Sequence, residues 1–194
     1  MAAPQLLMRL AVGAILSLLS AGATDAAGPW KGQVVDRDTG KPIAGAVVVM
    51  IWEERSPGVI HPEDEVHTAV EVVTDDDGRF VIPEHSPTAR KVFGRIREPY
   101  LKIFRRGYGF WNFQGAPYYP GVEEQAAAER RLAQAWKRLA GDGVVIELPR
   151  LEDGEKRLSV HSYARPGGVP DHVIPRLLAE IKADRRVIDS QRRR

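Results

Sequence analysis

The chain contains no cysteine. Disulfides, thiolate metal centres and a lipid-anchored cysteine are therefore excluded. Export is not excluded, because 194 residues bury enough surface to fold without covalent staples. Other signatures are missing too. No Gly-x-Ser-x-Gly elbow is present, so serine-based acyl transfer has no recognisable motif. No glycine-rich loop opens a helix to cradle phosphate. No His is followed three residues on by Glu, the usual zinc spacing, and His61 meets Asp64 at that offset. No internal repeat is visible.

What is present starts with a targeting layout. Met1–Arg9 carries one positive and no negative charge, Leu10–Leu19 is apolar or small apart from Ser17, and small residues follow. This is the arrangement of a secretory signal peptide, with candidate cleavage after Ala23, Ala26 or Ala27. The apolar run is short for a membrane span of about 20 residues. No twin-arginine pair precedes it, so ordinary unfolded export is expected. The expected organisation is a signal peptide over 1–27, a sandwich domain over 28–155 and a helical extension over 156–194, in a periplasmic or secreted protein. Charge is uneven. Gly28–Glu155 holds 17 basic and 21 acidic residues, and Lys156–Arg194 holds 10 and 4. The basic end suits a solvated helix face or a weak contact with an anionic membrane or wall polymer, and nucleic acid is not expected as a partner.

Hydrophobic periodicity places strands at Trp30–Asp36, Ile43–Glu53, Thr68–Thr74, Arg79–Pro83, Tyr100–Phe104 and Val144–Leu148. In the second, Val47, Val49 and Ile51 line one face and Val48, Met50 and Trp52 the other, so both sides are expected to be covered. Asp36–Pro42 is turn chemistry, and Asp75-Asp-Asp-Gly78 reads as a hairpin with Asp77-Gly78 at its tip. Ser56–Val66 is expected to be a loop, and Glu84–Glu98 a polar connection. Helical spacing marks a helix over Glu123–Ala140 and a second one lined by Ile174, Leu177, Leu178, Ile181 and Ile188, with Asp171 as its expected cap and Pro175 in its first turn. Short strands divided by turns predict a mainly β, antiparallel sandwich with an inserted helix and a C-terminal helix.

The pieces "GQVVDRDTGKPIAGAVVV", "TDDDGRFVIP" and "YLKIFRRGYG" resemble carboxypeptidase regulatory-like domains, which are transthyretin-like (prealbumin-like) β-sandwiches. Gly32, Val34, Asp36, Thr39, Gly40, Pro42, Ile43, Gly45, Ala46 and Val48 carry the likeness, followed by Thr74, Asp75, Gly78, Phe80 and Ile82, then Gly107 and Tyr108. These are turn and packing residues, so the resemblance implies a fold and a supporting or binding role, and it transfers no catalytic group. Related sandwiches that are enzymes do not fit. Hydroxyisourate hydrolases end in Tyr-Arg-Gly-Ser, whereas this chain ends in Gln-Arg-Arg-Arg. Intradiol dioxygenases use two tyrosines and a His-x-His pair, whereas His161 and His172 lie eleven apart.

Two stretches carry candidate chemistry. "HPEDEVH" offers His61, Glu63, Asp64 and His67 as metal ligands, or as solvated loop charges. "RRGYGFWNFQGAPYYPG" holds six of the chain's 14 aromatics in twelve positions. Its Arg105, Arg106, Tyr108, Trp111, Tyr118 and Tyr119 suit stacking on sugars or gripping a peptide, or plugging a sandwich edge near Trp136. The expected function is a non-enzymatic envelope module, without cofactor, that binds a protein or glycan. The alternatives are a small hydrolase using the His61–His67 loop and a structural subunit with a basic C-terminal end.

Overall fold

A computed structural model describes residues 28–58, 63–91, 93–113, 130, 133–141 and 143–193. The expected signal peptide lies outside the described residues. Among the described residues, no helix is long and apolar enough to cross a membrane.

The strands are β1 (Trp30–Asp36), β2 (Val47–Ser56), β3 (Glu63–Val73), β4 (Arg79–Ile82), β5 (Arg95–Ile96), β6 (Tyr100–Phe104), β7 (Phe110–Phe113) and β8 (Val144–Leu148). They form two sheets. One has the order β4-β1-β8, and the other runs β3-β2-β6-β7 with the short β5 also paired to β2. All the pairings are antiparallel except β1–β8, which is parallel, a departure from the purely antiparallel expectation. The helices are α1 (residues 133–140), α2 (Gly154–Ala164) and α3 (Pro175–Arg192), with a 3-10 turn at Asp171–Val173 before α3. The protein is mainly β, two facing sheets with helices added.

β2 organises the core because both of its faces are apolar. Val48, Met50 and Trp52 enter the layer between the sheets with Trp30, Val34, Phe80, Ile82, Leu101, Ile103, Ile146 and Leu148. Val47, Val49 and Ile51 enter a second layer, beneath Ala164 of α2 and Ile174 and Leu177 by α3. Full burial of such side chains stabilises by about 1.5–3 kcal/mol each. The inserted helix seals the first layer: Leu139 is buried there and Trp136 lies edge-on to Trp30 at 6.3 Å.

Several expectations are corrected. The second strand starts at Val47, not Ile43, because Gly45 turns the chain at φ 71° and Thr74 Oγ1 ties the entry, donating to Ile43 O and accepting Ala46 N–H. Residues 63–66, expected in a loop, already belong to β3, whose ladder passes a bulge at Trp52/Glu53. The Asp75–Gly78 turn is not a hairpin: it carries the chain from β3 in one sheet to β4 in the other. Asp75 Oδ1 holds it by accepting the N–H groups of Asp77 and Arg79. Asp171 does not cap α3. Ile174 occupies that position, and Asp171 pairs with Arg165. α2 lies outside the elements that periodicity marks, because the residues it buries are Arg157, His161 and Ala164 rather than an apolar stripe.

Candidate binding surface

The β6–β7 turn carries the candidate aromatic segment, and three carboxylates fix it. Arg105 donates to Gly45 O at 3.0 Å and to Glu180 of α3 at 2.8 Å. Arg106 pairs with the same carboxylate at 3.5 Å. The Gly107 N–H donates to Asp184 at 2.9 Å. The Tyr108 hydroxyl donates to Asp36 at 3.0 Å, and the Arg150 guanidinium lies 5.2 Å from the Tyr108 ring centre. Arg105 and Tyr108 are therefore held by internal partners.

Asp36 is a junction. Its Oδ1 accepts the N–H groups of Asp38 and Thr39 and shapes the β1–β2 turn, while its Oδ2 accepts Tyr108 and Arg150 Nε. The Arg150 hydrogen bond holds this carboxyl well below the usual range, against the opposing effect of burial and with help from Thr39 and Tyr108. Burial of the ring, then the hydrogen bond to the Asp36 carboxylate, push the Tyr108 hydroxyl up, against the opposing Arg150 charge.

Asp184 is the second junction, buried between α3, α2 and the turn. It accepts from Arg157, from His161 Nε2 at 2.7 Å and from Gly107. Burial alone would raise its pKa, but the bonds from Arg157 and His161, the Arg157 charge and Gly107 together bring it below its ordinary value. His161 also meets Phe104 edge-on at 5.8 Å. This buried charge cluster joins three elements, and among the described residues the Arg157 Nε is left without a hydrogen-bond partner.

The rings of β7 alternate. Trp111 packs on the inter-sheet core and Phe110 on the layer under the helices. Phe110 also stacks on Tyr163 of α2, with centres 6.0 Å apart and planes within 8°. Tyr163 is 62% exposed. At the β7–α2 contact the solvent-facing ring surface is thus Phe110–Tyr163, with Lys102 tied to α2 through its bond to Tyr163 O. Tyr118 and Tyr119 lie outside the described residues. Tyr163 was missed with its helix. The Asp153–Glu155 start was the available signal, since Asp153 caps α2 by accepting Glu155 and Lys156 N–H.

The "HPEDEVH" carboxylates and imidazole do not converge. Asp64 pairs with Arg55 and Arg97, both at 2.8 Å. His67 Nδ1 donates to the buried Glu54 at 3.0 Å, and Glu65 pairs with Lys91. Glu63 sits exposed at the strand start, and His61 lies outside the described residues. Among the described residues, no three His, Asp or Glu side chains are grouped to hold a metal ion.

The outer face of α3 is basic. Glu180 and Asp184 turn inward to the β6–β7 turn, leaving Arg176, Lys182, Arg185, Arg186, Arg192 and Arg193 exposed.

Comparison with known proteins found no significant match to any family model, any curated protein or any solved structure.

Proposed function

We propose that this chain is an exported, non-enzymatic binding module of the cell envelope, built on a transthyretin-like sandwich of the carboxypeptidase regulatory-like kind. Its ligand is a protein or a glycan. The observation that supports this reading is the stacked Phe110–Tyr163 pair. It presents ring surface to solvent on a β-strand and a helix that Asp184 and Glu180 clamp in place. Rigid aromatic surface on ordered elements binds sugars and apolar side chains at small entropic cost.

The test is a pull-down of the full chain with peptidoglycan and with envelope extract, alongside Tyr163→Ala and Phe110→Ala. Tyr163→Ala is the cleaner variant because the ring is mostly exposed. Capture should weaken by roughly tenfold or more if the ring is an anchor. Capture equal to that of the parent chain would remove this pair from the reading.

The basic outer face of α3 favours a second reading, a structural subunit whose C-terminal end rests on a polyanion. That contact would weaken steeply with added salt.

A further inference from the structure

The stretch Arg90–Arg97 reads RKVFGRIR: four basic residues, none acidic, and a phenylalanine in the middle. Phe93 is 83% exposed, the most exposed large apolar side chain among the described residues. Its backbone has φ 63°, a left-handed conformation that a bulky side chain rarely adopts. A strained backbone displaying an apolar ring to water needs a reason from outside the ring's own packing.

The display is built from below. Glu54 of β2 is buried and accepts Lys91 N–H at 2.7 Å on one oxygen and Arg90 N–H at 3.0 Å on the other, which also takes His67. The turn closes with Gly94 N–H donating to Lys91 O at 2.9 Å. A Cβ on Gly94 would lie 2.0 Å from Glu54 Oε1, so glycine is required for the loop to sit this close. The base is clamped and the tip points out.

The charges around the tip are only partly spent. Lys91 pairs with Glu65 and Arg97 with Asp64. Arg90 and Arg95 are exposed, and among the described residues their guanidinium groups have no carboxylate partner. Phe93 has no ring neighbour among the described residues, so the loop lacks the stacking track that single-stranded nucleic acid uses. An exposed apolar ring in the same loop as exposed Arg90 and Arg95, beyond the Lys91–Glu65 and Arg97–Asp64 pairs, has the chemistry of a bilayer interface. There the ring enters the headgroup boundary and long basic side chains reach back to phosphate.

We propose that the Arg90–Arg97 loop docks this protein on an anionic lipid surface, with Phe93 inserted and Arg90 and Arg95 on the headgroups. The absence of cysteine gives a direct test. Full-length Phe93→Cys and Asp189→Cys, the latter on the exposed basic helix α3, are each labelled with an environment-sensitive thiol dye. They are titrated with vesicles of phosphatidylcholine alone and mixed with phosphatidylglycerol. The expected result is a blue shift at position 93 with the anionic vesicles only, reduced by salt, and no shift at 189. Adding Arg90→Glu and Arg95→Glu should weaken the response by roughly tenfold or more, on the order of fivefold per basic residue removed from the surface. Circular dichroism verifies that each variant is folded. No shift at 93 in folded protein, a shift at 189 as large as that at 93, or an unchanged response after the charge reversals overturns the proposal.

Discussion

The Glu71 carboxylate of β3 accepts the backbone N–H of Leu177 at 2.8 Å and so caps α3 from a different sheet-bound element. Its other oxygen takes the N–H of Arg176 at 3.0 Å. A helix start has unsatisfied donors and a positive partial charge, and this carboxylate answers both. Glu71→Ala should destabilise the fold by about 1–2 kcal/mol in chemical denaturation, with Glu71→Gln costing less. Hydrogen exchange at Arg176 and Leu177 should quicken in the alanine variant. Unchanged exchange there would mean that the helix start is held by packing alone.

Acid sensitivity follows from three buried carboxylates. Asp36 and Asp184 lie below their ordinary range for the reasons given above, and so does Glu54, chiefly through the Lys91 N–H, against burial and with Arg90 N–H and His67 assisting. A carboxyl whose folded pKa is depressed stabilises the fold fully above its unfolded value and loses that contribution as pH falls toward the folded one. The free energy of unfolding should therefore be level on this account above about pH 5 and decline below about pH 4. Asp184→Asn should flatten the acid limb. It should also cost roughly 3–5 kcal/mol at neutral pH, because Arg157 is left buried without its counter-charge. Urea titrations across pH 3–7 read both effects.

The parts legible in the sequence are those where side-chain period and burial agree. Trp30–Asp36, Tyr100–Phe104 and Val144–Leu148 are strands at their expected bounds, and the two apolar faces of β2 are each covered. The departures from the sequence pattern share a cause. α2 turns Arg157 and His161 inward to a single Asp184, so its buried face looks polar and no apolar stripe marks it. Asp171 looked like a cap because the real one, Glu71, is about a hundred residues away. The Asp75–Gly78 turn has hairpin residues, but its flanking strands find partners in different sheets, which local turn chemistry cannot encode. The candidate site was half legible. The aromatic richness of 108–119 was visible, while the inward turn of Arg105 and Tyr108 depends on Glu180 and Asp36, far apart along the chain.

The two faces of β2 predict an asymmetry with the small sheet. Ile51 is fully buried under the helices, whereas Val145 on β8 is 64% exposed. Ile51→Ala should cost about 2–5 kcal/mol, the range for a cavity in a packed layer. Val145→Ala should stay within about 0.5 kcal/mol. Thermal and urea unfolding of the pair measures the contrast. A small loss at Ile51 would mean that α2 and α3 collapse onto the sheet and refill the space.

Phe93 and Gly94 are adjacent and should respond in opposite ways. Phe93→Gly removes a ring that buries little and suits a backbone already at φ 63°, so stability should be unchanged or raised by up to about 1 kcal/mol. Gly94→Ala sets a methyl against Glu54 Oε1 and displaces a carboxylate that serves Arg90, Lys91 and His67. Its cost should be roughly 1–3 kcal/mol, the penalty for breaking buried hydrogen bonds. Measured by thermal melts, this opposition separates a displayed ring from a packed one. A Phe93→Gly protein weaker by more than about 1 kcal/mol would show that the side chain stabilises the fold, and the strain at its backbone would then be offset by packing.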